Sequence, residues 1–359
     1  MSATADARRA RTAAEPLRLG VLVPCRNEAK VLPAKLANLG LAVWPAHPRS
    51  HRLVVVDNGS TDGTAEVAAS LLDRHFGARP EIATQVVSAP GGGKPAALRA
   101  GLEAISECDL VVVTDADVRL ESTALTELVR AFVARPDLGL ACGAQVFVEE
   151  LAEDGRLRSS TGGELRPAAG FYDRLTAWVR RLESRSGRLF SVHGQLMAWR
   201  RSLELEPRAG LAADDIALRQ DARRRGARVE LVPAARFFEV KLERSLRPDE
   251  QAVRRAAAYF QVMRALQPVP GAAGRLQFLA YRYGPEWTPW LASLALFAAF
   301  VGVGLWLGSV AVAVLAAATL VTALTPVGLR LIELLWIMER ARRLERRQGL
   351  ADGWEMARS

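Results

Sequence analysis

Four short apolar runs, Leu19-Val23, Leu53-Val56, Val86-Val87 and Leu110-Val113, recur between stretches of helical spacing, and this alternation limits the possible folds most. The runs are apolar throughout instead of alternating, which fits strands buried on both faces. Ala29-Leu39, Thr64-Phe76 and Pro95-Ile105 carry the helical periodicity between them. Strands alternating with helices over such lengths predict an α/β domain on a mostly parallel, doubly wound sheet. Further along, Leu138-Val148 and Val229-Val232 read as strands and Ala168-Leu182 as a helix. Asp214-Arg225 reads as a helix opened by acids and closed at Gly226.

Open α/β sheets bind ligands at the C-terminal edge of their strands. Three runs here end in chemistry-bearing residues. The first runs into Pro24-Cys25-Arg26-Asn27-Glu28 and the second into Asp57-Asn58-Gly59-Ser60-Thr61-Asp62-Gly63-Thr64. The fourth delivers Thr114-Asp115-Ala116-Asp117, two carboxylates one residue apart. Alone, such a triplet is most often a turn. Paired hard oxygen anions also suit Mg²⁺ or Mn²⁺, which share one or two carboxylates with substrate phosphates. Asp57, directly after a buried strand, can accept hydrogen bonds from a nucleobase or a ribose. Gly91-Gly92-Gly93-Lys94-Pro95 fails both the Walker and the Rossmann spacings. It reads either as a plain flexible loop or as backbone N–H groups plus a lysine facing a diphosphate.

The formal net charge of +9 and pI of about 10.1 admit nucleic acid, anionic membrane or an anionic substrate. With no nucleic-acid module or zinc spacing in 359 residues, no nucleic-acid partner is expected. Cys25, Cys108 and Cys142 lie in or beside apolar runs and read as buried free thiols. Residues 1–16 read as a disordered leader without a secretory signal. Trp287 to Leu329 contains no charged residue. A helix that long would cover about 64 Å, roughly two crossings of the hydrocarbon core, so two transmembrane helices with a turn near Gly308-Ser309 are expected. Arginines flank both ends, which places them on the cytoplasmic side, with the catalytic bulk cytosolic on a multi-pass cytoplasmic-membrane protein. The expected organisation is an α/β domain over 17–243, an amphipathic membrane-proximal segment over 244–286, spans over 287–329 and a basic tail over 330–359.

Pro24-Cys25-Arg26-Asn27-Glu28, Asp57 to Thr64, Gly93-Lys94-Pro95-Ala96-Ala97-Leu98-Arg99-Ala100-Gly101 and Thr114-Asp115-Ala116-Asp117, in that order, resemble the family 2 glycosyltransferases. The resemblance continues through Val192-His193-Gly194-Gln195 to Arg200-Arg201, similar to the family's acceptor-side segment, and Ala213-Asp214-Asp215-Ile216-Ala217-Leu218, similar to its catalytic segment. It implies a GT-A fold and transfer, with inversion, of a sugar from a nucleotide-diphosphate donor, with UDP the expected nucleotide. Carried over, it implies that Pro24, Asn27, Glu28 and Asp57 line the nucleotide pocket, Lys94 sits near the phosphates, and Asp115 contacts the nucleotide. Asp117 would bind Mg²⁺ or Mn²⁺, and Asp215, beside Asp214, would be the general base. Independently, displacing a diphosphate from an anomeric carbon needs leaving-group neutralisation and a carboxylate to deprotonate the attacking hydroxyl.

One departure from the family pattern bears on the product. The processive synthases carry Gln-x-x-Arg-Trp, whereas Gln251-Ala252-Val253-Arg254-Arg255 replaces the Trp with Arg255. The missing acceptor-stacking Trp argues against long-chain synthesis, while Arg254 or Arg255 could meet a diphosphate or lie on anionic lipid. The expected function is therefore a membrane-tethered transferase acting on a lipid or membrane-proximal acceptor. A polysaccharide synthase and a catalytically silent nucleotide-sugar-binding scaffold are the alternatives.

Overall fold

The computed structural model describes residues 16–89, 93–168, 171–211, 214–241, 248–307 and 335–344. The chain divides into two compact units, Met1–Glu243 and Arg244–Ser359. In the first, the elements are β1 (Leu19–Cys25), α1 (Leu32–Leu41), β2 (His51–Asp57), α2 (Thr64–Phe76), β3 (Ile82–Ser88), α3 (Gly93–Ala104) and β4 (Leu110–Thr114). They continue with β5 (Arg119–Leu120), α4 (Ala124–Ala134), β6 (Leu138–Val148), α5 (Phe171–Arg185), β7 (Leu196–Arg200), α6 (Asp214–Arg224) and β8 (Arg228–Val240).

The eight strands form one sheet in the order β3-β2-β1-β4-β7-β6-β8-β5. β1 pairs in parallel with both β2 and β4, and β2 with β3, so three crossovers build the expected half of the domain. The sheet is mostly parallel, as expected, but mixed, with antiparallel strands in its second half. β7 runs antiparallel between β4 and β6, β5 runs antiparallel to β8, and β6 and β8 are parallel. Two of these features are hard to see in the sequence. β5 has only two residues, and β8 continues eight residues past Val232 through Pro233 after a register irregularity opposite Gly143 and Ala144.

Successive side chains of a strand point to opposite faces, and the core divides accordingly. Leu19, Val21 and Val23 pack with Leu36, Leu39, Leu72 and Phe132 on one face. Leu22, Val54, Val111 and Val113 pack with Leu98, Leu102 and Leu218 on the other. Helices cover both sides of the sheet. Cys25, Cys108 and Cys142 are buried free thiols.

The second unit contains α7 (Pro248–Ala265), α8 (Ala272–Leu307) and helical residues 335–344. Val253, Ala257 and Phe260 pack there with Ile337 and Ala341. Among the described residues, no helix is long and apolar enough to cross a membrane. The second of the two expected spans falls within 308–334, outside the described residues, as do the leader and the end of the tail.

Candidate active site

The loops after β1 and β2 are laced together. Asn27 adopts a left-handed φ of 56°, and its backbone N–H donates to Ser60 Oγ at 2.9 Å. Its side-chain Oδ1 accepts from the Thr61 N–H, also at 2.9 Å. The Glu28 and Ala29 N–H groups donate to Thr64 Oγ1 and Asp62 Oδ2. Asn27 therefore brackets the loop, and Glu28 begins the turn whose carbonyl accepts from the N–H groups of Val31 and Leu32. That turn delays α1 until Leu32, three residues after the expected start.

Asp57 is buried at the end of β2. One oxygen accepts from the Ser60 N–H at 3.3 Å, and Oδ1 has no partner among the described residues. The adjacent Asn58 is 2% exposed with both side-chain polar atoms unpartnered among the described residues. Native interiors rarely leave buried polar atoms unsatisfied, so two neighbours in that state at the C-terminal edge of the sheet would be completed by an ordered water or a polar ligand.

Lys94, in the first turn of α3, donates from Nζ to Asp115 Oδ1 at 2.9 Å. Burial opposes the ammonium charge, but Asp115, Asp214 and Asp215 together raise its pKa above the ordinary lysine value. The turn carrying Asp115 and Asp117 is gripped from behind. Lys35, fully buried on α1, donates to Thr114 Oγ1 at 2.7 Å and to the Val118 carbonyl at 3.1 Å. Arg119 donates to the carbonyls of Ala116 and Val118, and Asn38 exchanges hydrogen bonds with the backbone of Leu120. Asp117 is open to solvent at the rim. Crowding by surrounding protein, and then the Asp115 charge, raise its carboxyl above the usual range.

Across from this turn, α6 opens with Asp214 and Asp215. Asp215 is raised to about 6, by burial first and by Asp214 second, while its hydrogen bond from the Ile216 N–H pulls the other way. Asp214 is likewise raised by burial, with Lys94 opposing. Gly194 lies against the pair: a Cβ there would sit 3.3 Å from Asp215 Cβ and Oδ2. The Gln195 carbonyl accepts from the Asp115 N–H at 3.2 Å, so this segment ties the two carboxylate groups to one frame. His193 is buried, with Nδ1 2.9 Å from the Gly143 carbonyl and its ring edge-on to Phe237. Burial first, and Arg180 second, lower its pKa to about 4, so it is neutral at pH 7. Its Nε2 has no partner among the described residues.

The structure thus brings Lys94, Asp115, Asp214, Asp215 and Gly194 together, with Asp117 on the same turn. Pro24 lies within β1, paired with Val56 of β2 just before Asp57. Gln251, Arg254 and Arg255 fall on α7 in the second unit, and their side chains lie outside the described residues. Sequence reasoning missed Asn58, Lys35, Asn38 and Arg119. Lys35 and Asn38 did leave a trace: both sit on the apolar stripe Leu32, Leu36, Leu39, where a cation or amide needs a buried partner.

Among the described residues no group of three His, Cys, Asp or Glu side chains converges as a metal cage. The donor set fits a different kind of cation. Asp115 is engaged by Lys94, which leaves Asp117 as the carboxylate of this turn free of an ion pair among the described residues. One carboxylate beside a phosphate pocket suits Mg²⁺ or Mn²⁺, which draw most of their ligands from phosphates and water.

The α/β sheet thus carries a lysine–carboxylate contact at its strand ends, faced by a raised carboxylate pair. Residues 16–262 match the family model described as glycosyltransferase like family 2. The chain is 33% identical over 243 residues to uncharacterized glycosyltransferases of Mycobacterium tuberculosis and Mycobacterium bovis, covering 68% of this chain and 81% of each relative. Its fold is similar to that of the mannosyltransferase PcManGT from Pyrobaculum calidifontis, solved in complex with GDP-Man and Mn²⁺. The TM-score is 0.65 at 24% identity, over 94% of this chain and 89% of that one. It is also similar to residues 1–349 of S. aureus TarS, with a TM-score of 0.51 at 17% identity, over 76% and 72% of the two chains. The chain belongs to the family 2-like glycosyltransferases. It is a glycosyltransferase of GT-A-like fold.

Proposed function

We propose that this glycosyltransferase is cation-dependent and inverting, takes its sugar from a UDP-sugar, and passes it to a lipid or membrane-proximal acceptor. The observation that carries the reading is the position of Lys94, bonded to Asp115 and close enough to Asp214 and Asp215 for all three to raise its pKa. A cation so placed stands between the donor's diphosphate and the carboxylates that serve the acceptor.

In this reading Asp57 and Asn58 receive the base or ribose with their unpartnered atoms, and Asp115 orients the nucleotide. Pro24, Asn27 and Glu28 hold the wall of that pocket. Asp117 would hold a Mg²⁺ or Mn²⁺, whose chemistry when bound would be neutralisation of charge on the leaving diphosphate. Lys94 adds a fixed positive charge on the same leaving group. The acceptor hydroxyl oxygen bonds to the anomeric carbon as the carbon–oxygen bond to the diphosphate breaks, and Asp215 takes the hydroxyl proton. A carboxylate raised toward working pH is suited to that task. Gly194 and His193 shape the acceptor side.

Membrane attachment through 287–329, with the catalytic domain cytosolic, is part of the proposal and is supported by the charge-free run in the sequence. Nucleoside-diphosphate release tests the reaction, with UDP- and GDP-sugars compared in the presence of Mn²⁺ or Mg²⁺. Mass spectrometry of lipid extracts from cells with and without the protein tests the acceptor. Release from GDP-sugars alone would overturn the uridine assignment, and unchanged lipids with a modified soluble acceptor would overturn the lipid one.

A further inference from the structure

α5 presents an outward face unlike that of any other helix described in the first unit. Arg174, Leu175, Trp178, Arg181, Leu182 and Arg185 are all exposed, Trp178 at 56% and Leu175 and Leu182 above 40%. Their spacing of one, four, seven, eight and eleven residues places them within about a third of the helix circumference. Three arginines and three large apolar side chains therefore share one stripe, with no acid among them.

The acids of the helix are committed elsewhere. Asp173 accepts from Lys241 Nζ at 2.6 Å, and Glu183 accepts from the Phe190 N–H at 3.1 Å. Arg180 also turns away, donating to Ser191 Oγ. By contrast Arg174, Arg181 and Arg185 have no ion-pair partner among the described residues. The charge continues past the helix. Arg181 and Arg185 line a cleft of about 290 Å³ with Arg135 and Arg228, whose one acid, Glu230, is already paired with both of the latter.

We propose that α5 lies in the plane of an anionic bilayer surface and seats the glycosyltransferase domain on it. The chemistry selects this occupant. A helix whose exposed stripe mixes Trp and Leu with arginines buries its apolar side chains at the headgroup boundary while the guanidinium groups meet lipid phosphates. Such a surface supplies both halves of the stripe at once. Arg135, Arg181, Arg185 and Arg228 surround a space suited to one anionic headgroup. The inference deepens the proposed membrane-proximal acceptor and rests on it for its purpose, since a domain held flat against lipid meets acceptors at the surface. It is separate from attachment through 287–329, because its residues all belong to the first unit.

The three native cysteines are buried, so Leu182→Cys provides a selectively labelled position on the stripe. The full chain, carrying an environment-sensitive fluorophore there, is incorporated into nanodiscs of phosphatidylcholine alone or with phosphatidylglycerol. Expected with phosphatidylglycerol are a blue shift, quenching by doxyl lipid and protection from aqueous iodide, all weakened by salt. The charge reversal R174E/R181E/R185E should weaken this docking about 100-fold at low salt, at roughly a factor of five for each arginine near the surface. UDP affinity, measured in parallel, should be unchanged and reports that the variant is folded. A second label at Trp178→Cys should behave in the same way.

A label equally open to iodide in both disc compositions overturns the proposal. So does a label already blue-shifted without lipid, which would mean that the chain itself or a second copy covers the stripe. Because the readout is independent of turnover, a docked label with unmodified lipids sinks the acceptor reading alone. An undocked label with modified lipids sinks only the docking inference.

Discussion

Lys94 Nζ lies 2.9 Å from Asp115 Oδ1, joining the start of α3 to the turn after β4 at the open edge of the sheet. Its charge also reaches Asp214 and Asp215 at the start of α6, and each of the three carboxylates raises the lysine pKa. One ammonium thus couples the proposed nucleotide and base halves of the site.

Lys94→Ala should lower kcat by roughly 100-fold or more, as expected for a fixed charge that counters a developing anion. It should also raise the KM for donor. A pH effect accompanies it. Lys94 holds down the pKa values of both Asp214 and Asp215, so its removal lets them rise. The acid limb of the kcat/KM profile should then move to higher pH. A limb that stays in place would show that Lys94 does not act on the pair.

In the wild type, Asp215 must lose its proton before it can accept one. With its pKa raised to about 6, activity should fall as pH drops through about 6, well above the ordinary carboxylate range. The same shift has a stability consequence of opposite convenience. An acid whose pKa is higher folded than unfolded favours the folded state when protonated, and that contribution is lost as pH rises through the folded value. Asp215→Asn should therefore abolish turnover and raise Tm at pH 7.5, by an amount on the order of 1–3 kcal/mol in stability. The gain should shrink below pH 4, where the wild-type group is protonated. Calorimetry at the two pH values checks the sign.

The parallel half of the fold was legible because fully buried strands leave unbroken apolar runs, and β1, β2 and β4 fall where those runs lie. The mixed half was not. β7 follows directly on the loop His193-Gly194-Gln195, and nothing in Leu196–Arg200 states which way the strand runs. The carboxylates and Lys94 were visible as polar residues immediately after apolar runs or at a helix start. The grip on their turn was hidden, because Lys35 and Arg119 act through backbone carbonyls that any sequence supplies. Asn58 precedes a glycine, as turn asparagines do, and only its burial separates it from an ordinary loop asparagine.

Asp57→Asn keeps the volume of the side chain but removes the acceptor charge at the buried, unpartnered oxygen. If that oxygen receives a base N–H or a ribose hydroxyl, nucleotide affinity should fall by 10-fold or more while kcat at saturation changes little. Titration calorimetry with UDP measures the first, and initial rates the second. An unchanged Kd would remove Asp57 from the nucleotide pocket.

Gly194 offers the sharpest test of the acceptor side. An added Cβ would stand 3.3 Å from both Asp215 Cβ and Oδ2, tighter than ordinary contact without being a hard collision. Asp215 would have to give by a few tenths of an ångström, and it starts a helix whose Ile216 N–H holds its Oδ1 at 2.8 Å. A shift of that kind leaves the core untouched but moves the base relative to the anomeric carbon. Catalytic geometry is steeply sensitive, with about 1 Å of misplacement able to cost 100-fold. Gly194→Ala should therefore lower kcat about 10-fold or more, with UDP affinity unchanged and Tm within a few degrees of wild type. Gly194→Ser, which adds a larger group to the same gap, should be worse in kcat and similar in UDP affinity. Wild-type turnover in Gly194→Ala would mean that Asp215 is free to move and does not take the proton from its observed position.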